Sequence, residues 1–381
     1  MLMIKIAVIL AGGQGERMKP VTDHQPKALV PIYGKSILER QIEQLIEIGV
    51  KEIFVLAGYL GDQIKKLLDK KNYEIKVICE ISDPGLSPEE RVIKYFKNFN
   101  KDYVLIYCDN FIPDNKTVLS QFNSTDQIKL LVEKRLKGNF SINSKKLEYL
   151  GARRDISSPF VELGYIAIRN PNFNSLLNET KSFQKVFEQL SMTKQLSYQE
   201  LLTGYLSVSN LERYIEQNLC SKVIILDRDG IINHRMPKRQ YLSSIDQLNY
   251  INENLQIFKK LSKKGYYFIV ASNQPGIALG SVSKEFLFEL SQKITTDLRL
   301  IGVNILAFYY CKHHWDEQCN CRKPKPGLLL SICSDFKLSL QNTTFIGDED
   351  TDIEAANLAG MKSMKFSPSN LELNRLIINN I

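Results

Sequence analysis

Short apolar segments alternate with amphipathic segments along most of the chain. Six of the apolar segments are almost continuously hydrophobic, which is typical of parallel strands buried on both faces of a sheet. They cover residues 5–10, 52–57, 103–107, 222–226, 266–270 and 343–346. Between them, apolar positions recur at helical spacing, for example in residues 36–48 and in residues 255–264, where Gly265 follows as a helix stop. This alternation predicts an α/β protein.

The length of the chain predicts two domains. Its 381 residues exceed one ordinary domain and suit two of roughly 150–220 residues each. We place the boundary after Asn218, just before an apolar segment restarts, which gives domains of residues 1–218 and 219–381. Each is expected to be a Rossmann-like unit built on a mostly parallel sheet.

Composition and charge narrow the class of protein. Hydrophobic residues make up 44% of the chain and charged residues 24%, as in soluble globular proteins. The net charge of +8 includes no dense basic block, which favours anionic substrates over nucleic acid. The seven cysteines are an odd set, so we expect a reducing cytoplasm. Residues 1–10 are interrupted by Lys5, lack a signal-peptide cleavage region and are too short to cross a membrane.

Glycines or reactive side chains follow almost every predicted strand. They include Gly12, Asp109, Asp227, Ser272 and Asp348. Open α/β sheets bind ligands at the carboxyl ends of their strands. The pattern therefore predicts an active site in each domain.

Four soft metal ligands lie within eleven residues near position 315. They are Cys311, His313, Cys319 and Cys321. This is the number and type of ligands that a closed tetrahedral zinc site needs. We exclude the neighbouring His314, because a second histidine beside a ligand is more often simply solvated.

Asp227 and Asp229 are two residues apart after an apolar strand. Residues at this spacing point the same way along an extended chain, so both carboxylates can face one pocket. One carboxylate can attack phosphorus while the other exchanges a proton with the leaving oxygen.

This aspartate pair, followed by Ser272, Lys323 and the acidic segment 347–352, closely resembles the four motifs of the haloacid dehalogenase-like phosphatases. The resemblance covers about residues 222–366. It implies that Asp227 is the nucleophile that forms an aspartyl-phosphate and that Asp229 is the general acid/base.

The same resemblance assigns the surrounding residues. Ser272 and Lys323 would neutralise the transferring phosphoryl group, and Asn273 would bind substrate. Mg²⁺ would be held by Asp348, Asp227 and the backbone carbonyl of Asp229, which suits a hard ion. Asp352 would orient Lys323.

The zinc ligands followed by residues 322–327 are similar to one branch of this family, which contains D-glycero-D-manno-heptose 1,7-bisphosphate phosphatases and histidinol-phosphate phosphatases. The branch implies a structural zinc ion, and it implies that Arg322 helps to bind the distal end of the substrate. Two positions depart from the family. Ile231 stands where threonine is usual, and Leu279 where arginine is common, and both bear on substrate preference.

The first domain resembles the sugar-1-phosphate nucleotidylyltransferases, whose sheet is mixed and mostly parallel. The resemblance rests on the glycine loop with Gly12, Gly13 and Arg17, and on Lys27 within residues 26–32. It implies that the glycine loop and Arg17 hold a nucleoside triphosphate and that Lys27 stabilises the α-phosphate under attack. Asp109 matches the Mg²⁺-binding aspartate of that family.

Later motifs of the first domain depart from that family. Residues 86–91 replace a glycine-rich loop over the base, and residues 151–154 replace a sugar-phosphate segment. Ser207 stands where a second metal-binding aspartate is expected, and losing one carboxylate weakens metal binding. Two readings stay open: a working transferase, or a degenerate domain that binds a sugar phosphate or mediates homo-oligomer assembly.

The sequence therefore predicts a bifunctional, cytoplasmic enzyme of activated-sugar synthesis. The second domain would remove the 7-phosphate of a heptose 1,7-bisphosphate, and the first would transfer a nucleotidyl group, guanylyl by pathway analogy, onto the 1-phosphate with release of pyrophosphate. Sugar phosphate and nucleoside triphosphate would be the partners, without nucleic acid or membrane. The alternatives are a phosphatase alone and a histidinol-phosphate phosphatase.

Overall fold

The computed structural model describes residues 3–143, 146–151, 153–218, 222–238 and 240–367, which fold into two compact units. The first unit takes most of residues 3–209. The second takes residues 210–367 together with residues 18–25 and 31–34. The boundary predicted after Asn218 stays a prediction, because residues 219–221 lie outside the described part of the chain.

Strands and helices alternate in both units, as the hydrophobic pattern predicts. Up to residue 218 the strands are β1 Ile6–Ala11, β2 Pro31–Ile32, β3 Lys35–Ser36, β4 Glu52–Ala57, β5 Lys76–Ile81, β6 Tyr103–Tyr107, β7 Asn110–Phe111, β8 Ile128–Lys134, β9 Phe140–Asn143, β10 Lys146–Tyr149, β11 Phe160–Ile168, β12 Leu196–Glu200 and β13 Leu206–Ser207. The helices there are α1 Ile37–Glu47, α2 Gly61–Lys70, α3 Pro88–Phe96, α4 Asn115–Phe122, α5 Phe173–Thr180, α6 Phe183–Met192 and α7 Leu211–Asn218.

From residue 222 onward the strands are β14 Val223–Leu226, β15 Tyr267–Asn273, β16 Ile305–Cys311, β17 Thr344–Gly347 and β18 Lys362–Lys365. The helices are α8 Asn252–Lys263, α9 Lys284–Leu300, α10 Gly327–Asp335 and α11 Asp350–Ala359. All six strands predicted from the apolar segments are present, with ends that move by at most three residues.

The main sheet of the first unit is mixed. Its strands run in the order β10-β9-β11-β6-β1-β4-β5, and β8 pairs with both β11 and β12. The central strands β6, β1, β4 and β5 are parallel, whereas β11 is antiparallel to β6 and β8. Gly12 and Asp109, which follow β1 and β6, therefore come from neighbouring strands at the same edge.

The sheet of the second unit is parallel throughout, in the order β16-β15-β14-β17-β18. Its central strand β14 is buried along its whole length and ends directly before Asp227. The strands on either side, β15 and β17, end at Asn273 and Gly347. Three of the predicted reactive segments are thus brought to adjacent strand ends.

Each unit has its own hydrophobic core. In the first, strand residues such as Val8, Leu105 and Ile166 are fully buried against helices α3, α5 and α6. In the second, Ile224, Phe258 and Val270 belong to a core between the parallel sheet and helices α8 and α9. Within the described residues, none of the helices combines the length and the apolar character needed to span a bilayer.

Truncating Phe258 to alanine tests the core of the second unit. Its fully buried ring lies 5.2 Å from the Phe268 ring and 6.3 Å from the Phe366 ring, between centroids. We expect the free energy of unfolding of this unit to fall by about 3–5 kcal/mol. Hydrogen exchange of the β15 amides measures this unit separately from the other. Leu358→Ala, at a side chain that is 61% exposed, is the control and should change little.

Candidate active sites

Asp227 lies at the end of β14 and forms an ion pair with Lys323. The lysine Nζ is 2.9 Å from Oδ1 of Asp227 and 2.6 Å from Oδ1 of Asp352, and it donates to the carbonyl of Ala271 at 3.0 Å. All three side chains are almost completely buried. Burial disfavours the ammonium form, but the two carboxylates raise the pKa of Lys323 overall, so the lysine stays charged.

Asn273 positions Lys323. Its side-chain amide donates to the Lys323 carbonyl at 3.0 Å and accepts from the Lys323 amide at 3.1 Å. Asn273 also lines the cavity described below, but its side-chain amide is hydrogen-bonded to the backbone of Lys323 at both its nitrogen and its oxygen. Burial raises the pKa of Asp227, against the effect of the Lys323 charge.

Asp229 is held by a cationic and hydrogen-bonding shell. Arg228 Nη2 lies 2.7 Å from Oδ2 of Asp229, Asn233 donates to Oδ1 at 2.8 Å, and Gln274 donates to Oδ2 at 2.9 Å. Burial alone would raise the pKa of Asp229, but Arg228 and these hydrogen bonds lower it overall. The resting group is a carboxylate, so it takes up a proton before it can act as an acid. Gln274 also donates to the Ser272 hydroxyl at 3.1 Å.

Three carboxylates lie close enough to share a cation. One oxygen each of Asp227, Asp348 and Asp352 falls within 4.8 Å of the others. Asp352 is already engaged through both oxygens, since Oδ1 pairs with Lys323 and Oδ2 accepts from the Glu349 amide at 3.1 Å. Asp227 and Asp348 are therefore the carboxylates suited to Mg²⁺, a hard ion that prefers oxygen ligands.

Gly230 allows Asp348 to approach Asp227. Its backbone has φ +88°, and a Cβ there would lie 2.1 Å from Oδ2 of Asp348. Burial raises the pKa of Asp348 to about 6, although Arg235 acts in the opposite direction. A cation at this place would favour the carboxylate form.

A cavity of about 550 Å³ opens onto these groups. Its lining includes Asp227, Asp229, Ser272, Arg322 and Lys323. The Nη1 atom of Arg322 is buried without a hydrogen-bond partner among the described residues. An unpaired guanidinium nitrogen in a polar cavity provides a donor for an anionic ligand.

The four predicted zinc ligands converge at the end of β16. The Cys319 sulfur lies 3.6 Å from the sulfurs of both Cys311 and Cys321, and His313 Nδ1 lies 3.2 Å from the Cys321 sulfur and 3.7 Å from the Cys311 sulfur. A tetrahedral zinc site with its usual bond lengths places its ligand atoms about 3.4–3.8 Å apart, and three of these four distances fall in that range, so the set is compatible with zinc. His314 accepts instead from the Asp316 amide at 3.3 Å.

The first unit places Lys27 beside Asp109. The two form an ion pair of 3.1 Å, and Oδ1 of Asp109 is buried without a hydrogen-bond partner among the described residues. Ser207 lies opposite Asn110 in the β13–β7 pair, 3.3 Å from the Asp109 carbonyl. Asp109 is thus the carboxylate suited to Mg²⁺ here, and Ser207 adds a hydroxyl where a second carboxylate was expected.

Residues 86–91 do not form the loop that the sequence suggested. Helix α3 begins at Pro88, and Ser87 and Glu90 form a capping box at its start. The segment 151–154 includes residue 152, which lies outside the described residues.

Arg91 covers the glycine loop. Its buried guanidinium donates to the Ser82 hydroxyl and to the carbonyls of Asp83 and Pro84, each at 3.1 Å. A Cβ placed on Gly12 would lie 2.3 Å from Cζ of Arg91, and one on Gly58 would lie 2.5 Å from Nη2.

A cavity of about 240 Å³ remains beside Arg91. It is lined by Gly12, Gly13, Lys27, Arg91 and Asp109, among others. Arg17 is exposed and is not part of this lining. The glycine loop, the lysine and the aspartate are therefore brought together, whereas Arg17 is not.

Three polar residues around the second site were not singled out from the sequence. Arg228 and Gln274 each lie next to a motif residue, and this adjacency is the sequence signal that could have identified them. Arg235, which contacts Asp348, is not adjacent to any motif. Its role depends on chain segments more than a hundred residues apart.

Comparisons with known proteins find relatives for both units. Residues 6–135 match the family model described as "Nucleotidyl transferase", and residues 320–365 match the one described as "HAD-hyrolase-like". A Thermoplasma acidophilum protein named probable D-glycero-D-manno-heptose-1,7-bisphosphate 7-phosphatase is 36% identical over 137 residues, which cover 36% of this chain and 84% of that protein. The chain belongs to this phosphatase family.

Two further relatives carry the same name or a similar one. The D-glycero-beta-D-manno-heptose-1,7-bisphosphate 7-phosphatase of Pseudomonas putida is 35% identical over 139 residues, covering 36% of this chain and 78% of that protein. The crystal structure of D,D-heptose 1.7-bisphosphate phosphatase from B. bronchiseptica complexed with magnesium and phosphate is 31% identical. It covers 37% of this chain and 78% of that chain, with a TM-score of 0.36.

The family membership and the two matches support a phosphoric monoester hydrolase joined to a nucleotidyltransferase domain. The fold class expected from the sequence is confirmed, and so is the resemblance to both families.

Replacing His313 by glutamine tests the zinc site. The variant loses one of four ligands, so we expect the purified chain to lose most of its zinc, measured by elemental mass spectrometry. Its thermal unfolding temperature should also fall, because structural zinc contributes about 10 kcal/mol or more in small zinc domains. The matched control is His314→Gln, which should retain about one zinc ion per chain. Equal zinc contents in the two variants would contradict the ligand set.

Proposed function

We propose that the second unit removes the 7-phosphate of a D-glycero-D-manno-heptose 1,7-bisphosphate and leaves the 1-phosphate. The observation that carries this proposal is the buried Asp227–Lys323 pair at the floor of a cavity that also contains Asp229 and Arg322. The names of the family's members support the choice of sugar.

In the first step, a carboxylate oxygen of Asp227 attacks the phosphorus atom, and the bond from phosphorus to the sugar oxygen breaks. Lys323 lies beside the attacking carboxylate and offsets the charge of the phosphoryl group. The leaving oxygen takes a proton from Asp229. Because Arg228 favours the carboxylate form of Asp229, this proton is gained when the negative phosphate approaches.

In the second step, water attacks the aspartyl-phosphate and Asp229 accepts its proton, which releases phosphate and restores Asp227. Mg²⁺ held by Asp227, Asp348 and the Asp229 carbonyl would supply charge neutralisation at this place. The unpaired nitrogen of Arg322 is suited to the other end of the substrate, where the 1-phosphate carries negative charge.

For the first unit, the proposed reaction is nucleotidyl transfer to the sugar 1-phosphate with release of pyrophosphate. The Lys27–Asp109 pair beside the glycine loop and the unpaired Asp109 oxygen support it. The product of one unit would be the acceptor of the other. Guanylyl transfer is proposed from pathway analogy alone.

A phosphatase with a non-catalytic first unit is the second candidate. Ser207 and the position of Arg91 over Gly12 favour it. Histidinol phosphate as the substrate is the third, and the presence of a nucleotidyltransferase domain makes a sugar phosphate the better choice.

A two-step assay tests the proposal. The protein is incubated with Mg²⁺ and heptose 1,7-bisphosphate, and then with the 1-phosphate and each nucleoside triphosphate in turn. We expect phosphate in the first step and pyrophosphate with one triphosphate in the second. Asp227→Asn should abolish phosphate release and keep pyrophosphate release, whereas Lys27→Ala should do the reverse.

Each failure of this assay points to one part of the proposal. Phosphate release without pyrophosphate would leave the phosphatase-only candidate. Release of phosphate from histidinol phosphate but not from the heptose would favour the third candidate. Phosphate release that survives Asp227→Asn would show that the nucleophile is wrong.

Replacing Arg91 by alanine tests whether this side chain limits nucleotide binding to the first unit. The change uncovers the backbone of Gly12, to which a triphosphate has to come close. We expect Arg91→Ala to bind GTP at least about tenfold more tightly than the unmodified chain in isothermal titration calorimetry, a difference of about 1.4 kcal/mol. Lys94→Ala, on the exposed face of the same helix, removes the same charge and is the control. Weaker binding after Arg91→Ala would instead make Arg91 a phosphate ligand.

A further inference from the structure

Arg235 makes contacts that the proposed phosphatase reaction does not use. Its Nη2 donates to Oδ1 of Asp348 at 2.7 Å, and its Nε donates to the backbone carbonyl of Asp229 at 3.3 Å. Its Nη1 donates a hydrogen bond to the carboxylate of Glu349. One guanidinium thus joins the loop after β14 to the loop after β17.

Two of these three acceptors are the groups assigned to Mg²⁺. They are the Asp348 carboxylate and the Asp229 carbonyl, and the third assigned group is Asp227. A guanidinium and a hard divalent cation bind the same oxygen lone pairs. Arg235 and the cation therefore compete for these oxygens.

The charges at the site show which of the two, Arg235 or the divalent cation, binds the carboxylates more strongly. Asp227, Asp348 and Asp352 are three carboxylates within 4.8 Å, and Lys323 compensates one of them. Arg235 compensates a second, whereas a divalent cation compensates both of the charges that Lys323 leaves. The cation is therefore the stronger partner, and Arg235 is a weaker substitute for it.

The surroundings of Lys323 and Arg235 show which of these two side chains can move away from the carboxylates. The Lys323 side chain is 3% exposed and is held by Asp227, Asp352 and the Ala271 carbonyl. The Arg235 side chain is 36% exposed and lines the 550 Å³ cavity. A guanidinium released from Asp348 therefore remains at the cavity, where the anionic substrate would bind.

We propose that Arg235 is an internal substitute for the metal ion: it holds Asp348 and the Asp229 carbonyl in the metal-free enzyme and releases them when a divalent cation binds. This inference rests on the proposed function, from which it takes the metal ligands. It adds that metal binding exchanges one cation for another at Asp348 and delivers a guanidinium to the substrate cavity.

Mg²⁺ binding to the full chain tests the proposal by isothermal titration calorimetry, without substrate. Arg235→Gln removes the competing charge, so we expect Mg²⁺ to bind at least about fivefold more tightly than to the unmodified chain. The matched control is Lys365→Gln. Lys365 pairs with the exposed Asp350 in the same acidic segment, so the control removes an equal charge that does not touch Asp348. It should change the affinity by less than about twofold.

A second readout is the thermal unfolding temperature. Without Mg²⁺, Arg235→Gln should unfold at a lower temperature than the unmodified chain, because Asp348 and Glu349 lose their partner. Saturating Mg²⁺ should narrow this gap. A gap that widens with Mg²⁺ would count against the exchange.

Asp348→Asn distinguishes a failure of the proposed Mg²⁺ site from a failure of the proposed role of Arg235. If this variant no longer binds Mg²⁺ and Arg235→Gln binds it as the unmodified chain does or more weakly, the substitution by Arg235 is overturned while the proposed metal site stands. If Asp348→Asn binds Mg²⁺ as tightly as the unmodified chain, the metal assignment itself is wrong and the proposal falls with it.

Discussion

The second unit depends on one buried ammonium group between two buried carboxylates. Lys323 lies 2.9 Å from Asp227 and 2.6 Å from Asp352, in a place where all three side chains are almost completely buried. Removing Lys323 would leave the two buried carboxylates without their shared cation, which costs several kcal/mol. The zinc ligands, the Asn273 amide and the cap of α11 can all be understood as parts that hold this lysine and its partners in place.

The parallel strands of both sheets could be predicted because they are buried on both faces and their sequences are almost continuously apolar. The antiparallel strands β8, β9 and β11 were not predicted. Their segments are interrupted by polar residues such as Glu133 and Glu162, so they lack that signal. Residues 88–91, the first turn of helix α3, were wrongly assigned to a loop, although serine before proline and a glutamate three residues after the serine form a readable capping signal.

The side chains assigned to the proposed phosphatase reaction follow strand ends and were identified from motif spacing. Their partners were harder to find. Arg228 and Gln274 change the protonation of Asp229, and that effect depends on distances that only the folded chain defines. The same holds for Arg91, whose position over Gly12 follows from the packing of α3 against the strand ends. The two units therefore differ. The second brings the side chains predicted for its site together around one cavity, whereas the first has Arg91 packed over its glycine loop.

The thiol cluster and the catalytic lysine are separated by one residue, since Arg322 alone stands between Cys321 and Lys323. The two clusters also offer ligands of opposite character, a soft thiolate set and a hard carboxylate set. The backbone that leaves the thiol cluster therefore carries Lys323 directly into its ion pair with Asp227. A displacement of the thiol cluster would reach this buried pair through a single residue, and that residue, Arg322, lines the same cavity.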